Sequence, residues 1–453
     1  MLTISPSSPS QPDDPFLPIL NPEQNAALDH MLSGRNVFLT GKAGSGKSTV
    51  VEAFIRKTTR QVVKTAPTGV AARRIGGHTL HHIFELVHQV YLPDFNPCLA
   101  QESLDVLAAL DVLIIDEISM VRADLLNTID RTLQLANCND LPFGGKQIVL
   151  VGDLYQLNPV AKDRVKELLK RYYGGINPYH AVSWSESRFL FIDLQQTHRQ
   201  SDPVFITLLN WLRTGDTPEF ASREDLVAYA NSILNICAEP DPGAVILCSM
   251  NRRAAEINQE RDALLEEEDV VCFRASYTGV VDFTEMQAPP QLHLRKGSRV
   301  LLVANKLNID ERSYLYTNGD QGWVTEIEEK AVHVKLDNGN TVLVRAHRWV
   351  NNMIVYDESK GTLREHQIGE YHQLPLKLGY AISVHKSQGL SMDRVHLDLS
   401  RRLFAPGMLY VALSRCRTLS GLTISRPLHH SELIYDPEIE KFYSRQLIEK
   451  SAG

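Results

Sequence analysis

The stretch GKAGSGKST, residues 41–49, has the residue types and spacing to hold a phosphate chain. It fits G-x-x-x-x-G-K-[ST], with an apolar burst before it (NVFLT, 36–40) and a helical pattern after it (STVVEAFIRK). In that context backbone N–H groups and a helix N-terminus face an anion. Lys47 would reach the β and γ phosphates, and Ser48 would ligate Mg²⁺. Gly41, Ala43, Gly44, Ser45, Gly46, Lys47, Ser48 and Thr49 are therefore the candidate nucleotide-binding residues. A second constellation is VLIIDEISM, 112–120. Asp116, at the end of a buried strand, can hold a metal-bound water, and Glu117 can orient and deprotonate the attacking water. Adjacent Asp and Glu suit hydrolysis of a nucleoside triphosphate better than transfer to a small metabolite. Upstream of the loop, the amide of Gln24 can read both the donor and the acceptor edge of adenine.

The elements that must position these residues are legible as apolar bursts ending in polar or Gly-rich turns. NVFLT (36–40), VVKTA (62–66), VLIID (112–116), IVLVG (148–152) and FLFID (189–193) read as buried parallel strands. Such strands carry function at their C-terminal ends. A second α/β pattern begins at GAVILCS (243–249) and resumes at DRVHLDL (393–399) and GLTIS (421–425). Between these lie alternating residues with the turn signals NGD and DNGN, which predict short antiparallel strands over 299–360, a small barrel. The division expected is an arm (1–20), a first α/β domain (21–200), a second (201–298 and 361–453) and the β insertion (299–360).

A chain of 453 residues is long enough for about three domains. A composition 43% hydrophobic and 22% charged is ordinary for a folded globular protein. The net charge of −7 argues mildly against nucleic acid, although a basic channel can sit inside an acidic shell. Six cysteines (98, 138, 237, 248, 272, 416) include no C-x-x-C pair, so neither zinc nor a disulfide frame is suggested and a reducing compartment is expected. The Ser/Pro-rich start MLTISPSSPSQPDDPFLP lacks the features of a signal or transit peptide. No apolar run approaches the ~20 residues of a membrane helix, so a soluble intracellular protein is expected.

Four further segments bear on what the hydrolysis drives. VGDLYQLNPV (151–160) puts Gln156 just past a strand end, where it could sense a γ-phosphate. LQQTHRQSDPVF (194–205) places Arg199 after the fifth strand, and LYVALSRCRT (409–418) places Arg415 near the end of an amphipathic helix. AISVHKSQGLSMDRV (381–395) is a Ser/His/Lys/Gln loop. An Arg supplied across a domain interface can sense γ-phosphate and close a cleft, which is what a translocating motor needs.

Segments 21–49, 65–84, 112–120, 143–160, 194–215, 381–395 and 407–422 resemble, in order, the motifs of the Pif (petite integration frequency) DNA helicases of superfamily one, relatives of RecD and Dda. TAPTGVAARRIGGHTLHHIF, IIDEISM, PFGGKQIVLVGD, HRQSDPVFITLLNWLRTG and YVALSR carry the likeness. The resemblance implies two RecA-like domains, ATP and Mg²⁺ as cofactors, 5′→3′ movement on single-stranded DNA and unwinding of tailed duplex, with G-quadruplexes and RNA–DNA hybrids as further substrates. Replication, repair, recombination or telomere maintenance would be the setting. It assigns Gln24 to adenine, Lys47 and Ser48 to phosphate and metal, Asp116 and Glu117 to hydrolysis and Gln156 to sensing. Arg199 and Arg415 become arginine fingers, and Gln388 joins the nucleotide contacts. Thr68, Thr79, His81, His385, Lys386 and Ser387 fall in motifs that contact the DNA strand. A monomer is expected, cytoplasmic in a bacterium, nuclear or mitochondrial in a eukaryote.

The third motif departs from the family, with Leu154-Tyr155 and Asn158-Pro159 where two aromatics and Pro-Pro are usual. The compact chain leaves little room for the accessory functions of larger members. YLPDFNPCL (91–99), within a wedge-like segment of about 85–105, sits where relatives place a strand-separating wedge; Tyr91 or Phe95 would either stack on a base pair or pack within the loop. The basic AKDRVKELLKRYYGG (161–175) is either a solvated helix face or a duplex contact. His78, His81, His82 and His88 repeat no known metal-ligand spacing, so surface or DNA-facing roles are expected of them. KGSRVLLVANK and LYTNGDQG resemble the family's DNA-gripping barrel. Two rivals share motifs with the helicase reading: an ATPase that remodels protein–DNA complexes without unwinding, and an ATP-gated DNA-binding scaffold.

Overall fold

The computed structural model describes residues 19–452 apart from 88, 197–201, 216–218, 266–268, 282, 284–285, 309–312, 358–359 and 361. Two compact units emerge. The first takes 1–199, 353–366 and 436–453, and the second takes 200–352 and 367–435. The C-terminal segment 436–453 and the hairpin tip 353–366 therefore belong with the first unit, not with the second domain and insertion where the sequence pattern put them.

The first unit is built on six strands: β1 (Val37–Gly41), β2 (Val62–Ala66), β3 (His78–Thr79), β4 (Val112–Ile115), β5 (Gln147–Val151) and β6 (Leu190–Leu194). They form one parallel sheet in the order β3-β2-β4-β5-β1-β6. The central strands β4 and β5 are near-continuous Val/Ile/Leu because both faces are covered. Side chains alternate across a strand, so Leu113, Ile115, Ile148 and Leu150 enter one core, while Val112, Ile114, Val149 and Val151 enter the other. Helix α1 (Pro22–Leu32) begins with a capping box and a proline at its first turn. Helix α2 (Lys47–Lys57) starts directly from the phosphate loop, and α3 (Gly69–Arg74) follows β2.

The C-terminal helix Pro437–Ala452 packs into this unit. Tyr443 shares a 2.7 Å hydrogen bond with Thr40 at the end of β1 and accepts from Leu154 N at 3.3 Å. Its ring stacks on Tyr155, with centroids 4.6 Å apart. Asn158 donates to Asp436 at 3.0 Å. Leu154 and Asn158, the two residues that depart from the family's third motif, and the intervening Tyr155 thus contact the C-terminal segment.

In the second unit five parallel strands run in the order 381–383, 245–248, 395–398, 422–424, 235–236. Antiparallel strands extend from Val271 to Leu378, beyond the 299–360 that the turn signals mark. Their largest assembly, among the described residues, is an open five-stranded sheet and not a closed ring. The alternating burial of its edge strand Thr341–Arg345 suits a sheet with one solvated face. Arg299 anchors it: the fully buried guanidinium makes two 2.6 Å bonds to Asp337 and donates to Gly243 O and Gln321 Oε1. No helix among the described residues is long and apolar enough to cross a membrane.

Candidate nucleotide and nucleic-acid sites

The phosphate loop joins β1 to α2. Gly46 caps α2 in the left-handed region (φ 82), which favours glycine, and a Cβ there would lie 2.3 Å from Gln24 Nε2 and displace that amide. Lys47 Nζ donates to Gly41 O at 2.7 Å and to Lys42 O at 3.0 Å, which folds the ammonium over the loop. Ser45 Oγ is buried without a hydrogen-bond partner. A lysine folded over a left-handed glycine loop and an unsatisfied hydroxyl inside it fit a phosphate chain.

Gln24 packs against this loop and not out toward solvent. Its Oε1 accepts from Asn21 N at 3.0 Å, and its Nε2 donates to Ser45 O at 3.2 Å. Both ends of the amide that could read adenine are engaged with the chain here. The capping box responsible is visible in the sequence NPEQ, which the reading as an adenine contact passed over.

Asp116 and Glu117 emerge from the end of β4 and are both nearly buried. Glu117 N donates to Asp116 Oδ1 at 2.9 Å, and Glu117 itself sits in the left-handed region (φ 49). The approach opposite is close: a Cβ on Gly152, just past β5, would lie 3.0 Å from Ile118 N. Gln156, just beyond, is buried and donates its N–H to Asp153 O. Ser48 and Asp116 line one cavity of about 580 Å³ next to the loop. A hydroxyl and a carboxylate converging beside a phosphate cradle fit Mg²⁺.

One participant escaped the sequence reading. Arg74, the last residue of α3, donates from Nη2 to Asp116 Oδ2 at 2.9 Å and to Glu117 Oε1 at 3.0 Å. Burial works against its charge, but Glu117 and Asp116 outweigh that and raise its pKa. Burial pushes the Asp116 carboxyl up, and Arg74 opposes the rise. Its place in VAARR gave no signal of this, because the acids lie more than forty residues on and meet it only through the β2–β4 pairing.

The candidate DNA contacts fall in both units. Thr68 caps α3 by accepting from Ala71 N at 3.2 Å, and Thr79 caps Leu80–Ile83 by accepting from His82 N at 3.2 Å. Both threonines thus stand at helix N-termini, and His81 is half-buried just after the second. His78 and His82 stack, with ring centroids 5.5 Å apart, and among the described residues no three His, Cys, Asp or Glu converge as a metal site. His88 lies outside the described residues. In the second unit Lys386 is exposed and His385 is half-buried beside Phe404, whereas Ser387 is buried and donates to Val384 O. Burial pushes Lys377 down to about 8, with Lys386 adding to the shift, so the two ammoniums lie near each other.

Arg415 is 2% exposed, and its guanidinium donates to Val411 O, Leu390 O, Ser387 O and Ser414 Oγ. Gln388, directly after Ser387, is also buried. Arg199 lies outside the described residues, as does most of the N-terminal arm. Tyr91 is a core residue: its hydroxyl donates to Val87 O and accepts from Val87 N, and its ring packs edge-on against the partly buried Phe95. That packing takes Tyr91 out of consideration as a strand-separating wedge.

A parallel sheet with a phosphate loop after β1 and an Asp-Glu pair after β4 is the arrangement of a P-loop nucleotide hydrolase. Residues 19–222 match the family model of the PIF1-like helicases. The chain is 32% identical over 435 residues to the ATP-dependent DNA helicase Pif1 of Bdellovibrio bacteriovorus, covering 94% of this chain and 92% of that one. It is 32% identical over 445 residues to the human ATP-dependent DNA helicase PIF1, of which it spans 64% against 94% of its own length. The crystal structure of Bacteroides sp. Pif1 in complex with ADP-AlF4 superposes with a TM-score of 0.85 at 32% identity, covering 95% of this chain and 98% of that one. The chain belongs to the PIF1-like helicase family.

Proposed function

We propose that this chain is an ATP-dependent DNA helicase that moves 5′→3′ along single-stranded DNA and opens tailed duplexes, acting as a monomer. The observation that carries the reading is that Ser48, next to Lys47 in the phosphate loop, and Asp116, bonded to Glu117, line one cavity, in a chain aligned over nearly its full length with helicases of this family. The loop N–H groups and Lys47 bind the phosphates. Mg²⁺, held by Ser48 and Asp116, would neutralise charge between the β and γ phosphates. Glu117 orients the attacking water and its carboxylate accepts the proton. Gln156, in the turn after β5, senses the γ-phosphate.

Arg199 supplies the cation that meets charge building on the transferred phosphoryl group. For Arg415 to serve as a second finger, its guanidinium must exchange backbone carbonyls for phosphate oxygens. Lys386, exposed on the second unit, holds a DNA phosphate, and Thr68 and Thr79 present helix N-termini to the strand. The test is strand displacement on duplexes with a 5′ or a 3′ single-stranded tail, with ATP and Mg²⁺. Unwinding of the 5′-tailed duplex alone is expected. Unwinding from the 3′ tail would reverse the direction, and DNA-stimulated hydrolysis without displacement on either substrate would favour remodelling.

A further inference from the structure

Helix α3 joins two features that the motor must connect. Its N-cap Thr68 lies in the segment read above as a DNA contact, and its last residue, Arg74, grips the hydrolytic acids. Six helical residues span only about 9 Å, so a shift at one end is felt at the other. We propose that Arg74 is a positioning residue that holds Asp116 and Glu117 in a non-hydrolysing arrangement, and that single-stranded DNA arriving at the N-terminal end of α3 draws it off. This rests on the reading of the Thr68 segment as a strand contact.

A guanidinium N–H at 3.0 Å fixes the Glu117 carboxylate against Arg74, and a positive charge that close opposes transfer of a proton onto it. Asp116 Oδ2 likewise accepts from Arg74 at 2.9 Å while its Oδ1 accepts from Glu117 N, so both oxygens of the acid that would serve Mg²⁺ are engaged. The surroundings favour this grip. Arg56, Lys64 and Arg73 line the same 580 Å³ cavity as Arg74, so a guanidinium leaving the acids moves against like charge. Glu52, also at the cavity wall, is already bonded to Arg56 at 2.6 Å. An entering polyanion reverses that balance, and the cavity leaves room for the side chain to turn without unpacking the core.

The experiment compares the parent with Arg74→Gln and Arg74→Lys. Steady-state ATPase is read with and without an oligothymidylate, oligothymidylate affinity by fluorescence anisotropy, and the Mg²⁺ needed for ADP to raise the melting temperature. For Arg74→Gln the DNA-free turnover should rise about tenfold, the scale of one charge-assisted hydrogen bond. The DNA-saturated rate should stay within about threefold of the parent, so stimulation collapses. The Mg²⁺ requirement should fall, and DNA affinity should rise by up to about the same tenfold, because binding no longer has to break the grip. Arg74→Lys keeps the charge without the fork and should give an intermediate DNA-free rate, which decides the matter if the glutamine variant folds poorly. A DNA-free rate that stays level or drops in both variants overturns the proposal. If the parent fails to bind the oligonucleotide, the helicase reading fails, while the DNA-free rates and the Mg²⁺ shift still judge the grip of Arg74 on the acids.

Discussion

Replacing Glu117 by Gln isolates its chemistry from its structural role. Gln has the same shape, and its Oε1 can still accept from Arg74, so the pocket keeps its packing and its 3.0 Å contact. What disappears is the carboxylate that takes a proton. Loss of a general base costs roughly 10²–10⁴ in rate, or about 2.7–5.5 kcal/mol of barrier. If Glu117 were only an ionic partner of Arg74, with side chains 11% and 32% exposed, its loss would be felt mainly in melting temperature and would change the barrier by about 1 kcal/mol or less. One kcal/mol is only about fivefold in rate, so the two accounts are well separated. The assay is steady-state ATPase with saturating single-stranded DNA, with binding of a fluorescent nucleotide and melting temperature as controls. Turnover within about fivefold of the parent, in a variant that melts normally, would place the base elsewhere. The backbone gives an independent check. Glu117 holds φ 49, where an L-residue costs about 1–2 kcal/mol and glycine does not, although glycine gives back about 0.5–1 through unfolded-state entropy. Glu117→Gly and Glu117→Ala should both be inactive, yet the glycine variant should melt at the higher temperature.

Lys386→Ala should weaken single-strand binding about equally for all sequences and flatten the log–log salt dependence by about 0.7, the loss of one phosphate contact; an unchanged slope would move Lys386 off the strand. Arg199→Lys should fold and bind DNA yet lose about 10³-fold or more of DNA-stimulated ATPase, because an ammonium cannot reproduce the guanidinium fork. ATPase within about threefold of the parent would remove Arg199 from the reaction. Burial, with His82 and Lys64 adding to it, pushes His78 down to about 4, so below the ordinary imidazole value near 6.5 the unfolded chain binds the extra proton. That contribution to stability is intact above pH 6.5 and is lost as pH falls toward 4, about 3 kcal/mol in all. His78→Gln should therefore lose less melting temperature between pH 7 and pH 4.5 than the parent, and equal losses would refute the assignment.

Local sequence by itself determined the elements that bind phosphate. A glycine loop between an apolar burst and a helical run has one good conformation, and five strands announced themselves as apolar bursts that end in polar or Gly-rich turns. The Asp116-Glu117 pair was legible because both acids sit at one strand end. The tertiary structure decided what those groups touch. Arg74 joins the acids only because β2 and β4 lie side by side, and Tyr443 reaches Thr40 and Leu154 from the far end of the chain. The antiparallel strands outside 299–360 lacked the Asn-Gly turn signals that betray a hairpin, so their extent was hidden. Gln24, Ser387 and Arg415 matched motifs by residue type, but burial and hydrogen bonding fix where such side chains are engaged. Spacing along a chain records helix and strand periods, whereas partners far apart in sequence are set by sheet order, which periodicity does not encode.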